Sequence, residues 1–417
     1  MSEIKYDVAV IGGGVVGCAV LFELTRQGFT CVLLEKNKSI MSEASAGNSG
    51  MLHTGFDSPL YSLEQQCIRS SQNEIFNIIN HFSIPFKKCG AILVAWTDHQ
   101  VVLTLHLKQN EKLPLLKQQA HTAGVCDVDL MTEADLYKKE PHLKQVYKGA
   151  LNVPGEGVID SNLLGLIFAQ HARMQGSKIL TDCQVTGVND RMLSTTQGNV
   201  HFKVAINCAG LYGDKVDHLA NINTFSITPR KGQYCVFGKS AGNFLNSMIF
   251  PVPTEKSKGV ALFNSVYNNL IIGPTAEDVE GRSQQPCDPQ VHLSLLLKAH
   301  WMIPELSNFS PIGQYAGLRP ATEFKDYQIR TYPQLGWITV GGIRSTGVSG
   351  SLGIGQYVSE RLLSDMGVEP ERGSMRQLLA MPWRLDDKRS SLLFEQHQYQ
   401  IMHPMCLYGH EIIDSKL

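Results

Sequence analysis

The chain is 417 residues long, more than one compact core holds, so two domains are expected. It is 43% hydrophobic and 18% charged, with a mean hydropathy of −0.09, an ordinary composition for a globular protein. A formal net charge of −1 excludes the basic footprint of nucleic-acid or anionic-membrane binding, and no apolar run reaches the roughly 18 residues of a transmembrane segment.

Met1-Ser2-Glu3-Ile4-Lys5 runs straight into a strand pattern, so no signal or transit peptide is expected. Tyr6-Asp7-Val8-Ala9-Val10-Ile11 is short, apolar and rich in β-branched residues, the pattern of a buried strand. Gly12-Gly13-Gly14-Val15-Val16-Gly17 follows at once and fits GxGxxG. From Val15 to Gln27 the spacing is helical, with Val16, Ala19, Val20 and Leu24 able to share a face, and Gly28 closes the helix. A second strand, Cys31-Val32-Leu33-Leu34, ends in Glu35. Strand, glycine turn, helix, strand and acid in this order read as a dinucleotide-binding unit. Gly12 permits the tight turn, Gly14 lets a pyrophosphate approach the backbone, and Gly17 lets the helix pack on the strand. The helix N-terminus offers free N–H groups to the diphosphate, and Glu35 can accept from a ribose hydroxyl. This fingerprint alone does not separate a flavin from a nicotinamide dinucleotide.

Further along, residues 62–81 read as a helix, 91–96 as a strand and 99–119 as a polar, helix-like stretch. A helix over 161–175 and a strand over 203–210 follow, then short strands at 233–237, 259–263 and 270–273. Residues 290–302 look helical, 336–340 are a late strand, and a glycine- and serine-rich turn leads into a helix over 355–366. The tail from about 373 looks irregular. Parallel strands near the start, near 205 and near 338 enclose β-rich pieces, so a parallel α/β domain interrupted by a mostly antiparallel sheet is expected. The ten cysteines form no CxxC pair and lack metal-ligand spacing to histidines. Reduced, buried thiols and no metal site are expected.

Four further segments carry a family resemblance. They are Ala46-Gly47-Asn48-Ser49-Gly50-Met51-Leu52-His53-Thr54-Gly55; Asn207-Cys208-Ala209-Gly210; Arg230-Lys231-Gly232-Gln233-Tyr234 with 253–260 and Gly273-Pro274-Thr275-Ala276; and Gly317-Leu318-Arg319-Pro320 with 341–349. With the dinucleotide unit they span roughly residues 5–370. Together they resemble the D-amino-acid-oxidase-like FAD-dependent oxidoreductase superfamily. Within it the likeness is strongest to glycerol-3-phosphate oxidases and dehydrogenases, with L-2-hydroxyglutarate oxidases as near relatives.

The resemblance implies a Rossmann-like FAD-binding domain with an inserted, mostly antiparallel β-sheet substrate domain. Residues 1–82, 151–223 and 331–372 would form the first, 83–150 and 224–330 the second, and 373–417 a tail. It implies FAD, held non-covalently because no histidine or cysteine matches a covalent tether. The cofactor would meet Gly12, Gly14, Val15, Val16, Gly17, Glu35, Lys36, Ser45, Asn48, Ser49, Val185, Ala209 and Gly210. Gly342, Arg344, Ser345, Thr346, Gly347, Val348 and Ser349 would form the second flavin-binding loop.

A flavin oxidises a secondary alcohol by taking a hydride while a base removes the hydroxyl proton. The resemblance makes His53 that base, with Arg319 and Lys258 holding the anion of a small substrate and Arg344 a further candidate cation. The glycines from Gly341 to Gly355 are expected to bring the backbone close to the isoalloxazine, with a following helix aimed at its N1–C2=O edge. Ser415-Lys416-Leu417 reads as a peroxisomal address, which implies an import receptor and favours oxygen as acceptor with release of hydrogen peroxide. The expected reaction is sn-glycerol 3-phosphate to dihydroxyacetone phosphate. Oxidation of L-2-hydroxyglutarate or another 2-hydroxy acid is the alternative, and an amino-acid or amine oxidase a further one. A non-catalytic FAD-binding protein and an NAD-dependent dehydrogenase are the readings from other classes.

Overall fold

The computed structural model describes residues 5–96, 109–145, 147–252, 259–283, 286–370 and 375–410. Lys258 and Ser415-Lys416-Leu417 lie outside the described residues, as does the first half of the polar stretch read over 99–119.

The N-terminal apolar run forms the strand Lys5–Ile11, with Val8, Ala9 and Val10 fully buried. It pairs in parallel with Cys31–Leu34 on one side and Gly198–Asn207 on the other. Lys178–Leu180 and Trp337–Gly341 extend the sheet in parallel at its two flanks. Numbered along the chain, these five strands stand in the order 3-2-1-4-5. The order reverses between Lys5–Ile11 and Gly198–Asn207, and the crevice beyond their carboxyl ends is where open parallel sheets bind ligands. The hairpin Val185–Asn189/Met192–Thr195 and the strand Gln328–Tyr332 complete an eight-stranded sheet.

Among the described residues four helices pack together beside this sheet. Val15–Arg26 packs against Ser161–Met174 and Gly347–Ser364, and the last also packs on Leu63–Phe82. Asp160 caps Ser161–Met174 by accepting the Leu163 N–H at 2.8 Å, a contribution of about 1 kcal/mol. The late helix begins at Gly347 rather than at 355. What read as a glycine-rich turn is its opening turns, and several of its glycines serve helix packing rather than an approach to a ligand. A Cβ on Gly353 would lie 2.0 Å from the Cys67 carbonyl oxygen, and one on Gly355 would lie 3.0 Å from that of Ala19. Glycine costs about 1 kcal/mol against alanine in a helix interior, and here backbone-to-backbone contact offsets it.

The second sheet has nine strands among the described residues. Its spine is the antiparallel pair Ile227–Phe237 and Pro311–Thr322, with Arg230 opposite Arg319, Gly232 opposite Gly317 and Tyr234 opposite Tyr315. Ala91–Val94 and Met248–Pro251 form a parallel pair inside it. Ala150–Val153 pairs into the second sheet and Gln328–Tyr332 into the first, each where a partner satisfies its backbone.

The tail is folded, against expectation. Arg384–Leu385, Ser391–Phe394 and His397–Gln400 form a three-stranded sheet, and Pro404–His410 is a helix. Leu392, Phe394, Ile401 and Cys406 join the core of the first domain. These strands are too short for periodicity to reveal. All ten cysteines are free, and seven are buried; Cys126 is exposed, contrary to the reading of buried thiols. No helix among the described residues is long and apolar enough to cross a membrane.

Candidate active site

A cavity of about 960 Å³ runs from the crevice at the strand-order reversal to the face of the second sheet. That is the upper end of the roughly 300–1,000 Å³ usual for small-molecule and cofactor sites. Its floor is the glycine loop. Gly12 holds a φ of +105°, and a Cβ there would lie 2.5 Å from the Cys208 carbonyl oxygen, so only glycine makes this turn. Gly14 caps the first helix without a side-chain hydrogen bond, and Val15 N–H donates to Ser45 Oγ at 3.0 Å. Thr346 likewise caps Gly347–Ser364 without a side-chain bond. Residues from the first turns of both helices line the cavity, so two positive helix ends border it.

Glu35 lies at the end of the second parallel strand. Its Oε2 accepts from Gly13 N–H at 2.7 Å and its Oε1 from Asn37 N–H at 2.8 Å, so the carboxylate braces the glycine loop. Burial pushes the Glu35 carboxyl up, and the two amide donors oppose that shift. Lys36 pairs with Glu43 at 2.6 Å and sits over the Tyr212 ring.

The loop from Ser45 to His53 forms the middle of the cavity. Asn48 Nδ2 donates to the Ser45 carbonyl at 2.7 Å, and its Oδ1 accepts from Gly50 N–H at 2.7 Å. The Asn48 carbonyl accepts from Tyr315 OH at 3.1 Å and from His403 Nε2 at 3.0 Å. Burial holds the His403 imidazole down to about 4, so it is neutral. Met405 N–H donates to Nδ1 of His403, which leaves the ring hydrogen on Nε2. A residue of the tail thus pins the loop. Gly47 meets the second sheet, where a Cβ would lie 2.4 Å from Gly317 Cα.

His53 lines the cavity with its side chain 15% exposed. Its backbone N–H donates to Ser349 Oγ at 2.8 Å, and its carbonyl accepts from Gln72 Nε2 at 3.0 Å. Its Nδ1 is 2.6 Å from Glu156 Oε2. Glu156 is fully buried, and its Oε1 accepts from Thr54 N–H at 2.7 Å and Thr54 Oγ1 at 2.8 Å.

On the opposite sheet Arg319 reaches the cavity wall. Its Nη2 donates to the Thr275 carbonyl at 3.2 Å. Gly232 leaves room for it, since a Cβ there would lie 2.5 Å from Arg319 Nη2. Among the described residues no carboxylate pairs with Arg319. Its cross-strand neighbour Arg230 is committed to Asp278, with Nε–Oδ1 at 2.6 Å and Nη2–Oδ2 at 3.1 Å. Burial pushes the Tyr234 phenol up, while the Arg319 cation beside it pulls the other way. Tyr234 stacks on Tyr315 with ring centroids 4.4 Å apart.

The cavity brings together the expected Gly12, Gly14, Val15, Val16, Glu35, Lys36, Ser45, Asn48, Ser49, His53, Val185, Ala209, Gly210, Arg319, Arg344, Ser345, Gly347 and Val348. Four expected cofactor contacts do not line it. Gly17 packs the helix on the turn, where a Cβ would lie 1.9 Å from the Gly12 carbonyl oxygen. Gly342 makes a turn beside Gln328 with a φ of +67°. Thr346 bonds Glu64 and Tyr327, and Ser349 holds the His53 backbone. These residues position the wall from behind. Sequence reading gives no role to Glu156, and it carries Arg230 and Tyr234 only within the segment that resembles the substrate sheet. Glu156 is 103 residues from His53 in a glycine turn, and nothing local pairs the two.

A glycine turn closed against Cys208, an acid at the strand end and two positive helix ends around one cavity fit FAD. The Val15 helix end would face its diphosphate, Glu35 its adenosine half and the Gly347 helix end its flavin. Comparisons with known proteins agree. A glycerol 3-phosphate dehydrogenase of Caloramator mitchellensis is 28% identical over 86% of this chain and 74% of its own length. A glycerol 3-phosphate oxidase of Mycoplasma pneumoniae is 28% identical over 82% of this chain and 91% of its own. The mitochondrial L-2-hydroxyglutarate dehydrogenase of Bos taurus is 26% identical over 66% of this chain and 62% of its own. The solved structure of L-alpha-glycerophosphate oxidase from Mycoplasma pneumoniae, dithionite reduced with FAD bound, superposes with a TM-score of 0.80. It shares 26% identity and covers 92% of this chain and all of its own. The sequence profile of the FAD dependent oxidoreductase family DAO matches residues 7–361, and with the cavity that fits its cofactor this places the chain in that family of FAD-dependent oxidoreductases.

Proposed function

We propose that the enzyme oxidises sn-glycerol 3-phosphate to dihydroxyacetone phosphate, with oxygen as acceptor. The observation that carries the reading is Arg319, a guanidinium on the cavity wall that has no carboxylate partner among the described residues. An anionic substrate supplies the missing counter-charge. Arg319 has further N–H groups free to grip a phosphate.

Bound FAD would supply the acceptor for the hydride of the carbinol carbon. His53 takes the hydroxyl proton at Nε2 while the C–H bond gives up its electron pair and the C=O bond forms. Oxygen then takes the two electrons and two protons, leaving as hydrogen peroxide. The relatives named as oxidases support this acceptor. The reading extends to peroxisomal import through Ser415-Lys416-Leu417, which rests on that tripeptide.

L-2-hydroxyglutarate is the second reading, favoured by the related dehydrogenases. It carries two carboxylates, and Arg230, the guanidinium beside Arg319, is already paired with Asp278. That commitment favours a substrate with one strong anion. The test is peroxide release by purified enzyme with each compound. Peroxide with glycerol 3-phosphate and not with L-2-hydroxyglutarate supports the proposal, and the reverse pattern overturns it.

A further inference from the structure

We propose that Glu156 is the positioning residue of His53, fixing the imidazole tautomer so that the Nε2 lone pair is presented to the cavity. The inference rests on the reading of His53 as base and adds the group behind it.

Three donors converge on this carboxylate. Thr54 gives its backbone N–H and its hydroxyl to Oε1, which leaves Oε2 to face His53 Nδ1 at 2.6 Å. A carboxylate offers only lone pairs, so Nδ1 carries the hydrogen and Nε2 the lone pair. The ring is also held along its backbone, by Ser349 on the N–H and Gln72 on the carbonyl. Three elements therefore fix one histidine: the turn before the strand Gly157–Ile159, the helix Leu63–Phe82 and the helix Gly347–Ser364.

The carboxylate also matters after proton transfer. Glu156 is fully buried, and its carboxylate is bonded by His53 and Thr54. When Nε2 takes the hydroxyl proton, the imidazolium that forms lies against this buried negative charge. The two opposite charges then sit within hydrogen-bonding distance, and the ring keeps its orientation through the transfer.

The variant Glu156→Gln keeps the shape and reverses the hydrogen-bonding pattern. Its amide oxygen can keep both Thr54 donors, which turns the NH2 toward Nδ1. The hydrogen on the ring then moves to Nε2 and the base is lost. Two readouts are taken on the FAD-loaded enzyme. The first is 15N NMR of labelled histidine in the resting state, assigned by difference from His53→Gln, and it needs no substrate. The wild type is expected to show Nδ1 protonated, and Glu156→Gln to show Nε2 protonated. The second is anaerobic flavin reduction by whichever substrate of the panel bleaches the wild type. It is expected to slow by about 10²–10⁴-fold, the range for losing a general base or its correct tautomer, with substrate KM and flavin content near wild type. Glu156→Asp, which keeps the charge, is expected to recover part of the rate.

An unchanged tautomer in Glu156→Gln overturns the proposal, whatever the substrate proves to be. So does a loss of rate that merely tracks loss of flavin, since that is a folding role. If glycerol 3-phosphate fails to bleach the flavin but the tautomer switches as described, the substrate assignment falls and the role of Glu156 stands.

Discussion

Arg319→Ala tests how the substrate is held. The residue lies on the long antiparallel pair Ile227–Phe237 and Pro311–Thr322, a different sheet from the strands that flank the glycine loop, so flavin binding and folding are expected to survive its loss. Its acceptors in the fold are uncharged, the Thr275 carbonyl at 3.2 Å and the neighbouring Tyr234 phenol. The remaining N–H groups are available to the substrate anion. A hydrogen bond to a charged group contributes about 1.5–3 kcal/mol, and at about 1.4 kcal/mol per factor of ten losing one lowers kcat/KM by roughly 10–150-fold. Losing a two-pronged grip exceeds that range. Arg319→Lys keeps the charge without the fork and is expected to fall between. The assay is steady-state oxidation of glycerol 3-phosphate and of uncharged glycerol by each variant at matched flavin content. Discrimination between the two substrates is expected to shrink in Arg319→Ala. A kcat/KM for glycerol 3-phosphate within about twofold of wild type would refute the argument.

Further expectations follow from the same geometry. His53→Ala is expected to slow anaerobic flavin reduction by about 10²–10⁴-fold while the purified protein stays yellow; full turnover would end its assignment as base. Gly353→Ala sets a Cβ 2.0 Å from the Cys67 carbonyl oxygen, where backbone cannot yield cheaply. Overpacking of this kind costs about 1–3 kcal/mol, read as a lower urea midpoint, and an unchanged midpoint would refute the helix contact. His403 has its imidazole held down to about 4 by burial. It stays neutral in the fold at pH values where the unfolded chain, near its ordinary value of about 6.5, takes up a proton. Its contribution is therefore full above about pH 6.5 and is lost as pH falls toward 4, at about 1.4 kcal/mol per unit. The stability gap between wild type and His403→Gln is expected to narrow from pH 7 to pH 5 in urea titrations, and a constant gap contradicts the burial argument. A fluorescent fusion ending in Ser415-Lys416-Leu417 is expected to enter peroxisomes, and deletion of the three residues to abolish that; equal localisation of both removes the address.

How much of this was legible in the sequence varies with distance along the chain. The unit from Tyr6 to Glu35 was readable because its chemistry is local: β-branched strand, glycine turn and helix each leave a short-range pattern. The start of the late helix is hidden because Gly347, Gly350 and Gly353 look like a flexible turn, whereas a glycine at a helix crossing is decided by a neighbour far off in sequence, as Gly353 is by Cys67. The tail looks irregular because its strands are two to four residues long. In the site, His53 and Arg319 stood out through a family-like motif and a strand-end arginine. Glu156 did not, since a buried acid in a glycine turn is ordinary until folding sets it 2.6 Å from a histidine. That Arg230, opposite Arg319 across the strand pair, is held by Asp278 is likewise visible only in the fold.

Removal of hydride and proton from a small phosphorylated alcohol is checked by mixing the oxidised enzyme anaerobically with sn-glycerol 3-phosphate and following the flavin absorbance. Rapid, complete bleaching is predicted, with dihydroxyacetone phosphate formed in equal amount to the flavin. A flavin that stays oxidised with glycerol 3-phosphate but bleaches with L-2-hydroxyglutarate or an amino acid contradicts it.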